Sequence, residues 1–231
     1  QEDDVLKKIK KNISFNTSKK IFFGEDYNYK KDKEGFIYKD KFGKINLPLP
    51  NLSGDFQISN VSTAVATVRN LNKFNISESH IKKAITNIKS EGRLQNITNG
   101  NLRKYVKKNN SILIDGAHNP LAAMVIKKYL ETLNSERKII MILGMMANKE
   151  HKKFINIFKD KIHTIITLDI PNQTNFIKKD KLSKIAKSCG IPSKTESSIE
   201  SAFKSAAKES DNAIIFCTGS LYFVGEILNL N

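Results

Sequence analysis

Asp115, Gly116, Ala117, His118, Asn119 and Pro120 place a carboxylate, an imidazole and an amide in six consecutive residues. They stand between the apolar run Ile112 to Ile114 and a helical pattern that starts at Pro120. At such a junction a carboxylate can accept from ribose hydroxyls, and a neighbouring histidine can meet an anionic or tetrahedral group. A purely structural account competes: Asp and Asn cap the helix, Gly116 makes the bend, and Pro120 takes the first helical position. Only the histidine is left without a structural duty.

The elements around the turn decide where it sits. Strands are predicted at 112–114, 138–143, 164–168 and 213–217, with helices at 120–133, 149–159, 178–188, 199–209 and 221–228. Short apolar runs alternating with amphipathic helices imply an α/β fold whose mostly parallel sheet is covered on both faces. Ligands of such sheets bind beyond the carboxyl ends of the strands, where Asp115, Gly144 and Thr218 to Ser220 all fall. The earlier part of the chain reads differently. A helix is predicted over 1–13, then a small antiparallel sheet from the aromatic pieces and Gly, Asp and Asn turns after Lys19. Two helices follow, carrying Phe56, Val61, Val65 and Val68 and then Ile81, Ile85 and Ile88, with Ser77 and Ser79 as candidate caps for the second. The Gly and Asn content of Glu91 to Asn101 suggests a boundary there.

Composition narrows the class. The 231 residues allow two small domains, and 39% hydrophobic residues are enough for packed cores. A formal charge of +16 would suit nucleic acid. However, Arg69, Arg93, Arg103 and Arg137 are the only arginines, and the lysines are scattered through every segment. The lysines of Lys7 to Lys11 and Lys178 to Lys187 accompany Leu6, Ile9, Leu182 and Ile185 at helical spacing, so they are expected to face water. No nucleic-acid partner and no membrane partner is expected, and the charged start has no apolar signal core. A cytoplasmic location follows as the expectation. Cys189 and Cys217 are unclustered, which predicts buried free thiols.

The motif Asp-Gly-Ala-His-Asn-Pro after an apolar strand resembles the signature of folylpolyglutamate synthase and dihydrofolate synthase, members of the Mur ligase superfamily. Four further pieces occur in the family's order: GDFQISNVSTAVA, EGRLQ, ILGMMANKEHKKF and FCTGSLYFVGEIL. They correspond to the family's G-x-x-Q-x-x-N-A, P-G-R-x-Q, G-M-x-x-D-K-D and G-S-L-Y-x-V-G-E. Five ordered motifs are far more specific than any one alone. The resemblance implies that Asn60, Arg93 and Asp115 bind ATP, and that His118 and Ser220 stand near the incoming glutamate, with His118 the catalytic candidate. It also implies that Lys149 shapes that end of the sheet. Glu91 replaces the usual proline, Asn148 and Glu150 replace two acids, and Val61 stands where a small residue is usual. Arg93 as a hinge residue, Asn60 as a helix cap and Ser220 as the cap of the last helix are the structural alternatives.

The resemblance further implies an ATP-dependent ligase that adds L-glutamate to dihydropteroate or folates, with Mg²⁺ and an acyl phosphate, and a monomer when intact. The fold expected is an incomplete Mur-ligase central domain over 1–91, followed by a Rossmann-like glutamate-ligase domain over 92–231. No G-x-x-x-x-G-K-[ST] phosphate loop occurs in the chain. Gln1 is therefore expected to enter partway through the ATPase domain, roughly 150 residues or more after its start, with the metal ligands upstream and no turnover by this part alone. A UDP-muramyl amino-acid ligase and a non-catalytic α/β ligand-binding module are the alternatives.

Overall fold

A computed structural model of the chain describes residues 3–13, 18–133 and 136–231. Gln1 and Glu2, which the expected first helix included, lie outside the described residues. The chain divides into two compact units, Gln1–Lys89 and Ser90–Asn231.

In the first unit, α1 (Asp3–Asn12) precedes a three-stranded antiparallel meander of β1 (Tyr27–Lys31), β2 (Gly35–Asp40) and β3 (Gly43–Pro48). Helices α2 (Phe56–Arg69) and α3 (Glu78–Thr86) complete it. The core joins Phe36, Tyr38, Ile45 and Leu47 of the sheet to Ile58, Val61, Val65, Ile81 and Ile85 of the helices. Val61 therefore belongs to this core. Asp40, in the tight β2–β3 turn, accepts from Phe42 N (2.9 Å) and from Arg69 Nε (2.8 Å) and Nη2 (3.1 Å), which fastens the end of α2 to the hairpin. Ser77 caps α3, accepting from His80 N at 3.3 Å while His80 Nδ1 accepts from Ser77 N.

The second unit is built on a six-stranded sheet of β4 (Gln95–Asn96), β5 (Ser111–Ile114), β6 (Ile139–Leu143), β7 (Thr164–Thr167), β8 (Ser193–Thr195) and β9 (Ile214–Thr218). Their order is β4-β5-β9-β6-β7-β8, with β4 antiparallel to β5 and every other pair parallel. The helices are α4 (Pro120–Glu131), α5 (His151–Ile157), α6 (Lys179–Ser188), α7 (Ile199–Glu209) and α8 (Leu221–Asn229). All five residues of β6 and of β9 are buried, as central strands covered on both faces require.

Alternation along the strands sends side chains to the two layers in turn. Ile112, Ile114, Ile140, Ile142, Ile215 and Cys217 pack with Ile199 and Phe203 of α7 and with Phe223, Val224 and Ile227 of α8. On the other side, Phe216 meets Phe158, which follows α5, at 6.3 Å between ring centroids. Burying Phe223 and Ile227 holds α8, and with it the strand-end loop before α8, at about 1.5–3 kcal/mol per side chain. Both cysteines are free and buried, and burial pushes the Cys217 thiol well above its ordinary range. Among the described residues no helix is long and apolar enough to cross a membrane.

Candidate active site

At the end of β5 the chain stays in the sheet for one more residue, since Asp115 N donates to Cys217 O at 3.0 Å. The Asp115 carboxylate is only 4% exposed and turns back on the backbone. Oδ1 accepts from Ala117 N at 2.8 Å, and Oδ2 accepts from Leu94 N at 2.9 Å. Burial pushes its pKa above the ordinary 3.8, opposed by those two N–H groups and, less strongly, by the charges of Arg93 and His118. The folded chain thus holds this proton more tightly than the unfolded one. The group's contribution to stability is present below the ordinary value and is lost as pH rises through the folded value. We expect carbon-13 NMR to find Asp115 titrating above 3.8, and Arg93→Ala, which removes an attracting cation, to move it higher still. A downward move in that variant would contradict the arrangement.

Gly116 N donates to Gly92 O at 2.9 Å. A Cβ on Gly116 would stand 2.2 Å from Leu221 Cδ2 and 3.4 Å from Arg93 Nη1, so the exposed Arg93 guanidinium lies beside this turn. His118 is half-buried, with Nδ1 3.0 Å from Gly116 O. A carbonyl only accepts, so Nδ1 carries the proton, and Nε2 is the acceptor in the neutral ring. Asn119 Oδ1 accepts from Ala122 N at 2.9 Å, capping α4 with Pro120 just inside it.

Neighbouring strand ends are tied to the same turn. Ala117 O accepts from Gly219 N at 3.0 Å and from Thr218 Oγ1 at 3.2 Å, and Gly144 N donates to Thr218 O at 3.3 Å. Gly219 has φ +111°. Ser220, 2% exposed, caps α8 by accepting from Tyr222 N at 3.1 Å. Across from it, the turn carrying Arg93 has left-handed backbone on both sides of the arginine, at Gly92 (φ +65°) and Leu94 (φ +44°). Gln95 Oε1 accepts from Gly92 N at 2.9 Å, and Gln95 pairs with Ile114 in the sheet.

Residues 95–230 match the family described as the dihydrofolate synthetase carboxyl-terminal domain, more than half of the chain. This chain belongs to the dihydrofolate synthetase family. It is 31% identical over 179 residues to the dihydrofolate synthase/folylpolyglutamate synthase of Buchnera aphidicola subsp. Acyrthosiphon pisum, covering 75% of this chain and 39% of that protein. The fold is shared with Mycobacterium tuberculosis folylpolyglutamate synthase complexed with ADP, at a TM-score of 0.79 and 17% identity over 100% of this chain and 53% of that one. It is shared too with the Yersinia pestis bifunctional folylpolyglutamate synthase/dihydrofolate synthase with Mn, AMPPNP and L-glutamate bound, at 0.77 and 16% over 96% and 50%. The chain spans about half the length of these relatives or less.

Of the family-derived site residues, Arg93, Asp115, His118 and Ser220 come together at one edge of the second unit's sheet. Asn60 belongs to the first unit, exposed on α2, where its Nδ2 donates to Gln57 Oε1 at 2.9 Å. Lys149 lies half-buried in the loop between β6 and α5, also past a carboxyl strand end. For two residues the sequence marks the place and the structure alone gives the contact. Gln95 was visible in the EGRLQ motif, but nothing in the sequence tells that its side chain turns back to Gly92. Gly219 falls in the stretch Thr218 to Ser220 expected at the strand ends, but its tie to Ala117 spans about a hundred residues of chain and is not legible in the sequence.

Proposed function

We propose that this chain serves as the carboxyl-terminal part of an ATP-dependent ligase that joins L-glutamate to dihydropteroate, to folates or to both. The observation that carries the reading is the exposed Arg93 guanidinium set beside the Asp115 to His118 turn, past the carboxyl ends of the strands, in a chain of this family. The Buchnera relative's name carries both activities, and the Yersinia structure holds L-glutamate. On this reading residues 1–91 belong to the central ATPase domain and 92–231 to the glutamate-ligase domain of a monomeric cytoplasmic enzyme.

ATP supplies the phosphoryl group that activates the acceptor carboxylate as an acyl phosphate. In the second unit the residue types suit a nucleotide, since a guanidinium fork such as that of Arg93 matches phosphate oxygens; in the first unit Asn60 carries an amide of the type that meets an adenine edge. Each Asp115 oxygen keeps a second lone pair for a ribose hydroxyl after its backbone bond. The amine of glutamate must be free of its extra proton before it attacks, and His118 Nε2, left as acceptor by the Nδ1 contact to Gly116 O, is the group we assign to take that proton. Ser220 and Lys149 border the glutamate side. Mg²⁺ is expected with the nucleotide; among the described residues no cluster of three His, Cys, Asp or Glu side chains is placed to hold it.

The test is glutamate-dependent ADP release by the complete product of the gene encoding this chain, with dihydropteroate and with tetrahydrofolate. Arg93→Ala should raise KM for ATP at least about tenfold, the scale of one lost charged hydrogen bond. His118→Ala should lower kcat by about a hundredfold while leaving KM for ATP near wild type. Turnover with neither pteridine, or two variants that both behave as wild type, would sink this assignment.

A further inference from the structure

We infer that Gln95 is a positioning residue, whose side chain sets the backbone turn that aims Arg93 at the nucleotide. The inference rests on the ligase reading above, in which Arg93 meets ATP.

The turn is unusual on both sides of the arginine. Gly92 sits at φ +65°, and a Cβ there would come within 2.7 Å of Val224 Cγ1, so glycine is required by space as well as by conformation. Leu94 is at φ +44°, where a side chain is unfavourable by roughly 1–3 kcal/mol, yet it is 1% exposed. Such a backbone persists only when its surroundings over-determine it, and three hydrogen bonds do so. Gly92 O accepts from Gly116 N at 2.9 Å, Leu94 N donates to Asp115 Oδ2 at 2.9 Å, and Gly92 N donates to Gln95 Oε1 at 2.9 Å. The first two tie the turn to the end of β5. The third closes it on itself: Gln95 is anchored through its main chain opposite Ile114, and its side chain satisfies the buried Gly92 N–H three residues upstream. Without that oxygen the N–H is buried and unpaired, and the residue before Arg93 loses its fixed orientation. Arg93 itself, with its guanidinium near Gly116, then samples directions in which its fork no longer matches a phosphate.

The experiment compares wild type, Gln95→Met and Gln95→Glu in the complete gene product. Methionine keeps the length of the side chain without the amide oxygen; glutamate keeps an oxygen at that place. Two readouts are taken: steady-state kinetics, and amide exchange of Gly92 with the core amide of Ile140 as the internal reference for folding. Gln95→Met should raise KM for ATP about tenfold and speed Gly92 exchange about tenfold, the scale of one buried hydrogen bond. KM for glutamate and Ile140 exchange should stay within about twofold, a difference too small to represent a lost bond. Gln95→Glu should restore both affected readouts. Turnover in wild type combined with an unchanged KM for ATP in Gln95→Met would overturn this inference alone. A Gln95→Glu variant as damaged as Gln95→Met, or unaltered Gly92 exchange in Gln95→Met, would do the same. Absence of glutamate-dependent turnover in wild type would overturn the functional reading and this inference together.

Discussion

Asp115→Ala is expected to destabilise the second unit by about 2–4 kcal/mol, because it leaves two buried N–H groups, of Leu94 and Ala117, with no acceptor. Each unpaired group costs roughly 1–3 kcal/mol, offset in part by removing a carboxylate whose burial is itself unfavourable. Asp115→Asn separates these effects. Its amide has the same shape and no charge, but only one oxygen, so the NH₂ faces one of the two N–H groups as donor against donor. We expect Asn to recover no more than about half of the loss, since one of the two bonds is restored. Urea unfolding followed by near-ultraviolet absorbance and by amide exchange of Leu94 and Ala117 measures both. An Asn variant as stable as wild type would show that one of the two bonds contributes nothing, and amide exchange of Leu94 and Ala117 would tell which.

The second large effect is expected at Gly219. A Cβ there would sit 2.6 Å from Gly144 O, 2.7 Å from Leu143 Cδ1 and 2.8 Å from Met145 Cγ, on a backbone at φ +111°. Leu143 and Met145 are fully buried, and the nearest atom is a backbone carbonyl, so neither repacking nor a rotamer change relieves the contact. Gly219→Ala therefore combines left-handed strain, roughly 1–2 kcal/mol, with overpacking of roughly 1–3 kcal/mol. About 2–5 kcal/mol should be lost in urea unfolding. Gly24→Ala is the control: it shares a positive φ of +90°, but nothing lies within 4 Å of its Cβ, so it should show the strain alone. Equal losses in the two variants would mean that the crowding around Gly219 is relieved at no cost. Because Gly219 N also holds Ala117 O at 3.0 Å, the glutamate-dependent turnover proposed above should fall with stability in the complete gene product as the turn bearing His118 shifts.

The apolar runs were long enough to reveal β5, β6, β7 and β9 within a residue or two, and the helices between them within about two residues. β4 and β8, of two and three residues, left no pattern to read. Neither has a buried face: Ser193 to Thr195 are all half-buried, and Gln95 and Asn96 are held by pairing to β5 rather than by apolar burial. On α2 the expected stripe of Phe56, Val61, Val65 and Val68 meets the core at Val61 and Val65, which are buried, and at half-buried Val68, while Gln57, Ile58, Ser62 and Ala66 are buried besides. Packing against the three-stranded sheet widens the buried face beyond what helical spacing alone marks.

What the amino-acid order determined by itself is the β/α rhythm of the second unit, the caps at Ser77, Asn119 and Ser220, and the motifs that mark the family. Each of these depends on neighbours within a few residues, where capping, turn chemistry and periodic burial act locally. Only the tertiary structure decided that β9 inserts between β5 and β6, which lays Thr218 to Ser220 directly against the Asp115 turn. It also decided that Asp115 spends its carboxylate on the Leu94 and Ala117 amides, and that Gln95 turns back to Gly92. The physical reason is that strand order follows from which apolar faces can be covered together, and a buried polar group bonds whatever donors the closed chain brings within 3 Å.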